Sequence, residues 1–285
     1  MKVLIGILEM KAEALALKAR GKTIGLVPTM GFLHEGHLSL IRESRRRCDA
    51  TVVSIFVNPI QFGPREDFMR YPKDFESDRA KLAAEGTDIL FYPDAGAMYP
   101  DGYKTYVEVI DIQDRLCGES RPGHFRGVCT VVLKLFNIVL PDLAFFGQKD
   151  VQQAIILKKM AGDLNLDVKI ETMPIVREAD GLAMSSRNTY LNAEERKAAP
   201  ILFSSLREVR SLFEKGERRA GILIGRMKAL IAAEPLARLD YVEIVNPQTL
   251  APLDEINREA LIAMAVFVGK TRLIDNTVVR GERKD

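Results

Sequence analysis

An α/β fold with a doubly wound parallel sheet is predicted by two features of the first two thirds of the chain. Short apolar runs alternate there with segments of helical character, and several of these runs are apolar nearly end to end. Strands that are covered by helices on both faces have this composition. Since ligands of such sheets bind beyond the carboxyl ends of the strands, we look for function where each run ends.

Five strands are predicted in this part of the chain. They are TIGLVPT (23–29), ATVVSIFV (50–57), DILFYP (88–93), DLAFFG (142–147) and DVKIETMPIV (167–176). Helices are predicted between them, including ESDRAKLAAEG (76–86), which ends at Gly86, and CTVVLKLFNIVL (129–140), which is stopped by Pro141.

The composition changes after about residue 177, where a polar loop leads into charged helical segments. Helices are predicted at 193–214 and 217–233, and shorter strands at 240–246, 261–268 and 271–275. We therefore place a domain boundary between residues 176 and 188. The predicted domains are 1–176 and 177–285, the second being a smaller α+β domain.

The composition indicates a globular protein that acts on a small molecule. The 285 residues are 47% hydrophobic and 28% charged, and the 41 basic and 39 acidic residues leave a net charge of +2. Such a weak charge argues against a nucleic acid or a membrane surface as the partner. No apolar stretch is long enough to cross a membrane. The three cysteines show no disulfide or zinc-site spacing, which favours reduced thiols and a cytoplasmic location.

The segment PTMGFLHEGHLSL (28–40) follows a predicted strand and precedes a predicted helix that begins near Gly36. Unpaired amides at a helix N-terminus favour an anion, and Gly31 and Gly36 allow close approach to the backbone. His34 and His37 can donate hydrogen bonds to phosphate oxygens. The segment therefore predicts a nucleotide phosphate site, the alternative being histidines that only cap the helix.

The segment FVNPIQFGPREDFMRYP (56–72) begins at the end of the second predicted strand, so Asn58 and Gln61 are expected on the same rim as the two histidines. A neutral amide can donate to a carboxylate and accept from a hydroxyl, which suits a small hydroxy acid. An Asn-Pro turn without a ligand is the alternative.

The segment FFGQKDVQQ (145–153) is a further strand-to-helix junction. Gly147 is expected to permit the turn, Lys149 to offer a charge to phosphate, and Asp150 to cap the helix or hold a ribose hydroxyl. Of Gln152 and Gln153, only one is expected to face a ligand.

The interdomain loop contains MSSRN (184–188), whose amides, hydroxyls and Arg187 suit a triphosphate and departing pyrophosphate. A solvated loop is the alternative. The third histidine, His124, lies between two arginines in SRPGHFRGV (120–128) and either belongs to the site or orders its loop.

Five blocks of the sequence resemble the pantoate–β-alanine ligase family and occur in the family's order. They are PTMGFLHEGH, VNPIQFGPREDF, SRPGHFRGV, FFGQKDVQQ and DGLAMSSRNTYL. The resemblance implies a Rossmann-like domain followed by a smaller lid domain, in a homodimer. It also implies that ATP, (R)-pantoate and β-alanine react, with Mg²⁺, to give AMP, pyrophosphate and pantothenate through pantoyl adenylate.

The resemblance also implies roles for individual residues. ATP would be bound by Met30, Gly31, Phe32, Leu33, His34, Glu35, Gly36, His37, Gly147, Gln148, Lys149, Asp150, Val176, Met184, Ser185, Ser186 and Arg187. His37 would be the proton donor, and His34, Lys149 and Arg187 would assist catalysis. Gln61 would contact pantoate and β-alanine, with Gln153 and Asn58 also binding substrate. Asp78 matches a family position associated with Mg²⁺, although the residue beside it is Ser77 here.

Three other functions are considered. A transferase that joins a nucleotide to a phosphorylated acceptor would share the first block but would not need Gln61. A nucleic-acid-binding module would need a basic stripe with interleaved aromatic residues. A regulatory homologue without activity is disfavoured because both histidines and Lys149 are present.

Overall fold

The first two thirds of the chain form a layered α/β unit, and most of the remainder forms a second unit. A computed structural model describes residues 1–64 and 66–281. The first unit comprises Met1–Gln113, Arg121–Gln148 and Gln152–Pro174, and the second comprises Asp114–Ser120, Lys149–Val151 and the chain from Ile175 onward. The domain boundary after residue 176 remains a prediction, and residues 282–285 of the second predicted domain lie outside the described residues.

The helices and strands as far as the end of the parallel sheet are as follows. They are β1 (Lys2–Leu4), α1 (Ile7–Ala19), β2 (Ile24–Thr29), α2 (Glu35–Arg47), β3 (Ala50–Ile55), α3 (Phe75–Ala84), β4 (Ile89–Phe91), α4 (Ala95–Met98), α5 (Cys117–Ser120), α6 (His124–Val139), β5 (Leu143–Gly147), α7 (Val151–Asp163) and β6 (Lys169–Met173). The short helix α5 belongs to the second unit.

The sheet of the first unit has six strands in the order β1-β4-β3-β2-β5-β6. Every paired strand runs parallel to its neighbour. The chain moves outward from β2 through β3 and β4, and then returns to place β5 on the other side of β2. The order of the strands therefore reverses between β2 and β5, which is where doubly wound sheets bind their ligands. The predicted fold class is confirmed.

The central strand β2 is held between buried layers because its residues are almost all apolar. Val27 is fully buried in a cluster with residues of α2, α3 and the neighbouring strands. Leu33, Leu40, Ile41 and Leu82 belong to the same cluster. The chain that leaves β2 is thus attached to the core on both sides of residues 34–37.

The second unit combines helices with a three-stranded antiparallel sheet in the order β7-β8-β9. Its remaining elements are α8 (Ala193–Ala198), α9 (Ile201–Glu214), α10 (Ala220–Ala232), β7 (Ala237–Val245), β8 (Glu259–Val268) and β9 (Thr271–Arg280). Strand β8 is apolar and buried along most of its length, and α9 and α10 contribute to the same core. This matches the predicted α+β character.

Among the differences from the predicted elements, three concern strand β1 and the longer helices. Strand β1 and helix α1 were not predicted, because only Met10 and Ala14 of α1 are buried and the apolar periodicity is weak. The helix predicted over 193–214 is two helices, since Pro200 lacks an amide hydrogen and interrupts the backbone ladder. Helix α6 begins at His124, five residues earlier than predicted.

Two further properties bear on the expectations from composition. No helix among residues 1–64 and 66–281 is long and apolar enough to cross a membrane. Cys48, Cys117 and Cys129 form no disulfide bond.

Close packing between β2 and α2 yields a prediction about stability. A Cβ atom at Gly25 of β2 would lie 2.1 Å from the Ser44 Oγ and 2.9 Å from the Cys48 Sγ. Gly25→Ala is therefore expected to lower the free energy of unfolding by about 1–3 kcal/mol, measured by denaturant titration. The control is Gly162→Ala in α7, where a Cβ meets open space, and which should leave stability unchanged or raise it by up to about 1 kcal/mol. Equal effects of the two substitutions would contradict this packing.

Candidate active site

The turn that follows β2 has an unusual backbone that α3 holds in place. Gly31 has a φ of 84° and Phe32 a φ of 52°, in the left-handed region that non-glycine residues seldom adopt. The Asp78 carboxylate accepts hydrogen bonds from the backbone amides of Phe32 and Leu33, each at 2.7 Å. The Lys81 ammonium, one helical turn further along α3, donates to the Leu33 carbonyl at 2.7 Å. Both polar groups of the Leu33 peptide backbone thus have partners on α3.

Asp78 serves this turn and does not have the surroundings of a metal ligand. Its side chain is 2% exposed, and each of its two oxygens accepts one backbone amide. Burial raises the pKa of Asp78, and the two amide donors act in the opposite direction. Within residues 1–64 and 66–281 there is no group of three histidine, cysteine or acidic side chains that could hold a metal ion. The predicted metal role of Asp78 does not fit this geometry.

The two histidines that follow the turn have defined orientations at the start of α2. His34 is the N-cap residue, and its Nδ1 accepts the Gly36 amide at 3.2 Å. The Nδ1 of His37 accepts the His34 amide at 3.3 Å. The two ring centroids lie 4.1 Å apart. Because each Nδ1 accepts a hydrogen bond, the neutral form of each ring carries its proton on Nε2.

Other residues of this segment differ in how they can meet a ligand. Leu33 is 3% exposed and belongs to the core, so only its backbone is available. The exposed Glu35 forms an ion pair with Arg42 on the next turns of α2. Met30, at the start of this segment, has its Sδ 3.2 Å from the Gln61 Nε2. The structure thus brings the first and second predicted segments into contact.

The backbone of Gln61, in a short 3-10 helix (Pro59–Gln61) after β3, is held by a partly buried polar network. His124 Nδ1 donates to the Gln61 carbonyl at 2.8 Å, and Arg121 donates to His124 Nε2 at 2.9 Å. Arg121 in turn forms a bidentate pair with Glu66 at 2.7 Å on both contacts. His124 therefore orders this loop, which is one of the two roles considered for it.

Gly127 of α6 allows this loop to lie against the helix. A Cβ atom at this position would be 2.5 Å from the Ile60 carbonyl oxygen and 2.7 Å from the Gln61 Cα. Both are backbone atoms that cannot move aside, so a larger residue would push Gln61 away from β2.

The turn after β5 contains a short 3-10 helix, Gln148–Asp150. Gly147 does not need to be glycine for the turn, because its φ is not positive and a Cβ would meet open space. The expectation that Gly147 permits the turn is therefore wrong. Lys149 lies 3.5 Å from the Asp150 carboxylate, and its carbonyl accepts the Asn276 side-chain amide at 3.0 Å.

The two glutamines of α7 are distinguished by burial. Gln152 is 5% exposed and donates to the Ile112 carbonyl at 3.2 Å. Gln153 is half-buried. Gln153 is thus the one whose amide is more accessible to a ligand.

The segment 184–187 in the second unit leads into a 3-10 helix, Ser186–Tyr190. The Ser185 hydroxyl caps this helix by accepting the Arg187 amide at 3.3 Å. Ser186 is 6% exposed. The Met184 amide donates to the Val176 carbonyl at 3.0 Å, so two of the predicted ATP-binding positions are adjacent in the structure.

Two neighbouring residues of β9 support the functional segments of the second unit and were missed by the sequence reasoning. Asp275, almost fully buried, pairs with Arg177 through contacts of 2.7 and 2.9 Å. Burial raises the pKa of Asp275, and Arg177 opposes that change. Asn276 holds the Lys149 backbone. An acidic residue and an asparagine side by side after an apolar pair, as in LIDN (273–276), are the sequence feature that points to them.

The site can therefore supply hydrogen-bond donors to an anion at the point where the strand order reverses. The imidazoles after β2 and the amide of Gln61 after β3 leave from adjacent strands. This combination defines an α/β nucleotide-binding enzyme of the type that carries a His-x-Gly-His turn.

Comparisons with known proteins give the family. A family model described as pantoate-beta-alanine ligase matches residues 2–278. A pantothenate synthetase of Caldicellulosiruptor saccharolyticus is 59% identical over 271 residues, which cover 95% of this chain and 96% of that protein. A pantothenate synthetase of Pelotomaculum thermopropionicum is 57% identical over 272 residues, with the same coverage of 95% and 96%.

Solved structures agree with this assignment. Pantothenate synthetase from Thermus thermophilus matches with a TM-score of 0.92 and 42% identity over 97% of this chain and 99% of that one. Pantoate-beta-alanine ligase from Francisella tularensis, solved with beta-gamma ATP and beta-alanine, matches with a TM-score of 0.80 and 34% identity over 97% of both chains. The chain belongs to the pantoate-beta-alanine ligase family. This confirms the resemblance drawn from the five sequence blocks, and the chain is an enzyme.

The role of Asp78 can be tested without substrate. Asp78→Asn leaves one oxygen to accept two backbone amides, so we expect the free energy of unfolding to fall by about 1–3 kcal/mol in a chelator and without ATP. The control is Asp74→Asn on the same helix, where Asp74 is an N-cap and asparagine caps equally well. If Asp78→Asn is as stable as the wild type but needs more Mg²⁺ for activity, the result would instead support Asp78 as a metal ligand.

Proposed function

We propose that this enzyme condenses (R)-pantoate with β-alanine, using ATP and releasing AMP and pyrophosphate, to form pantothenate. The observation that carries the proposal is the pair of imidazoles after β2, whose Nε2 atoms hold the protons. Next to them, Gln61 offers an amide to the acid. The family match and the relatives' printed names support the substrates.

The reaction has two steps. A carboxylate oxygen of pantoate attacks the α-phosphate of ATP, which forms pantoyl adenylate and breaks the bond to pyrophosphate. The β-alanine amine then attacks the acyl carbon, which forms the amide and expels AMP as the amine loses a proton. Neither step needs a nucleophile from the protein, so the residues act by positioning the reactants and by stabilising negative charge.

The proposed roles follow the geometry of each segment. The Nε2–H groups of His34 and His37 donate to phosphate oxygens, with His37 as the proton donor. Gln61 and Gln153 form the part of the site that binds the acid, and Asn58, which was expected to bind substrate as well, is buried and acts through its hydrogen bond to Gln61. The cations of Lys149 and Arg187 neutralise the triphosphate. The remaining ATP contacts are assigned to Met30–Gly36, Gly147, Gln148, Asp150, Val176 and Met184–Ser186.

Mg²⁺ is proposed to enter with the nucleotide. Asp78 is engaged by two backbone amides, and the described ranges 1–64 and 66–281 contain no cluster of three metal-binding side chains. Mg²⁺ commonly keeps several waters and binds through substrate phosphates.

The assembly and location are also proposals. Apolar side chains at the N-terminus are exposed, with Leu8 at 82% and Ile5 at 64%. We propose that they contact a second copy of the chain in a homodimer. A cytoplasmic location is proposed because the cysteines form no disulfide bonds and ATP is the energy source.

The proposed function is tested by ATP–pyrophosphate exchange with pantoate and without β-alanine. Wild-type enzyme is expected to exchange only when pantoate is present. His37→Asn retains a side-chain acceptor near the position of Nδ1 but has no Nε2–H, so exchange should fall about 10²–10³-fold while the Kd of pantoate changes little. His37→Ala should lose at least as much exchange activity.

Two results would contradict the proposal. Exchange that does not depend on pantoate would indicate a different acceptor, as in the nucleotidyl transferase alternative. An equal loss of pantoate binding and exchange in His37→Asn would indicate a histidine that only maintains the structure.

A further inference from the structure

We propose that Tyr99 is a positioning residue that acts through Asn58 to present Gln61 to the acid substrate as a hydrogen-bond donor. The proposal rests on the assigned role of Gln61 in binding pantoate. It concerns a chain of three side chains in the first unit, Tyr99, Asn58 and Gln61, which we call the amide relay.

The carbonyl of Gly127 shows which way the Asn58 amide faces in the relay. The side chain of Asn58 is almost fully buried, with 1% of the residue exposed, and one of its terminal atoms lies 3.1 Å from this carbonyl oxygen. A carbonyl oxygen only accepts, so the Asn58 atom that faces it is Nδ2. Asn58 Oδ1 consequently faces Tyr99, whose hydroxyl donates to it at 2.8 Å.

The second hydrogen of Asn58 Nδ2 determines the orientation of Gln61. The same nitrogen lies 2.9 Å from the side-chain amide of Gln61. Because Asn58 Nδ2 only donates, the Gln61 atom that faces it is Oε1. Gln61 Oε1 is thereby hydrogen-bonded to Asn58, and the NH₂ group of Gln61 faces away from Asn58.

The NH₂ group of Gln61 has a weak partner that a substrate oxygen can replace. It lies 3.2 Å from the thioether sulfur of Met30, and thioether sulfur is a poor acceptor. Met30 begins the turn that leads to His34 and His37. The relay therefore presents a donor to carboxylate or hydroxyl oxygens next to the proposed phosphate donors.

Tyr99 is suited to the start of this relay because it remains a donor. Burial raises the pKa of the Tyr99 hydroxyl, so the phenol stays protonated. Its ring is held by Phe56 at 6.2 Å and by the edge of Tyr103 at 5.1 Å between centroids. Asn58 cannot reverse without placing Oδ1 against the Gly127 carbonyl, so Tyr99 and Gly127 together fix a single orientation.

The test is the steady-state kinetics of Tyr99→Phe, with Tyr103→Phe as the matched control. Tyr99→Phe keeps the ring and removes the hydroxyl, so we expect the KM for pantoate to rise about tenfold, while the KM for ATP stays within about twofold of wild type. Tyr103→Phe alters a tyrosine that contacts Tyr99 outside the relay and should leave all the constants near wild type. Thermal unfolding of both variants shows whether the fold is retained.

The outcomes separate the relay from the proposed function. If ATP–pyrophosphate exchange by the wild-type enzyme does not depend on pantoate, the proposed function itself is overturned. Pantoate-dependent exchange with an unchanged KM for pantoate in Tyr99→Phe overturns the relay. If the KM values for ATP and for pantoate rise together in Tyr99→Phe, the substitution damages the structure generally, and this result also overturns the relay.

A second pair of variants tests the donor orientation independently of Tyr99. Gln61→Glu replaces the NH₂ group by an acceptor, whereas Gln61→Ala only removes it. If the relay presents a donor, Gln61→Glu weakens pantoate binding more than Gln61→Ala, as measured by the Kd from calorimetry. The reverse order would overturn the proposal.

Discussion

The pair of hydrogen bonds from the Phe32 and Leu33 amides to the Asp78 carboxylate is the interaction on which the histidine segment depends. Gly31 and Phe32 of this turn have positive φ. Without the Asp78 carboxylate, the backbone amides of Phe32 and Leu33 would have no hydrogen-bond acceptor on α3. Leaving a buried amide without an acceptor lowers the free energy of unfolding by more than a typical hydrogen bond contributes to it. Because Leu82 of the same helix packs with Leu33 in the core, the position of the turn is coupled to the packing of the sheet.

The same use of buried polar groups recurs beyond this turn. Backbone donors engage Nδ1 of His34 and His37, whereas the Gln61 carbonyl engages Nδ1 of His124. The three histidines therefore have two different tautomers in their neutral forms. In the second unit, Asp275 and Asn276 hold Arg177 and the Lys149 backbone. Groups that we propose to meet substrates are thus oriented by hydrogen bonds within the protein.

The sequence predicted the parts of the fold whose residues are uniformly buried. Strands β2 to β6 were found because their apolar runs reflect two covered faces, and the His-x-Gly-His segment was placed correctly at a strand exit. Helix α1 was missed because much of its apolar surface is exposed, with Leu8 at 82%. The break at Pro200 was missed because charged residues lie on both sides of it, at 194–197 and 207–210.

The contacts that orient the site were beyond the reach of the sequence for a different reason. Asp78 lies 46 residues from Phe32, and Tyr99 lies 41 residues from Asn58. Such pairings depend on how helices and loops meet over the sheet, and no local periodicity encodes them. The motif blocks predict which residues meet substrate, but not what holds them in place.

The most direct test of this account is the tautomer of each imidazole, measured by long-range ¹H–¹⁵N NMR at a pH where the rings are neutral. The chain has three histidines, so single substitutions assign every ring. The account predicts protons on Nε2 of His34 and His37 and on Nδ1 of His124. A proton on Nδ1 of His37 would contradict it, because the His34 amide would then have no acceptor on that ring.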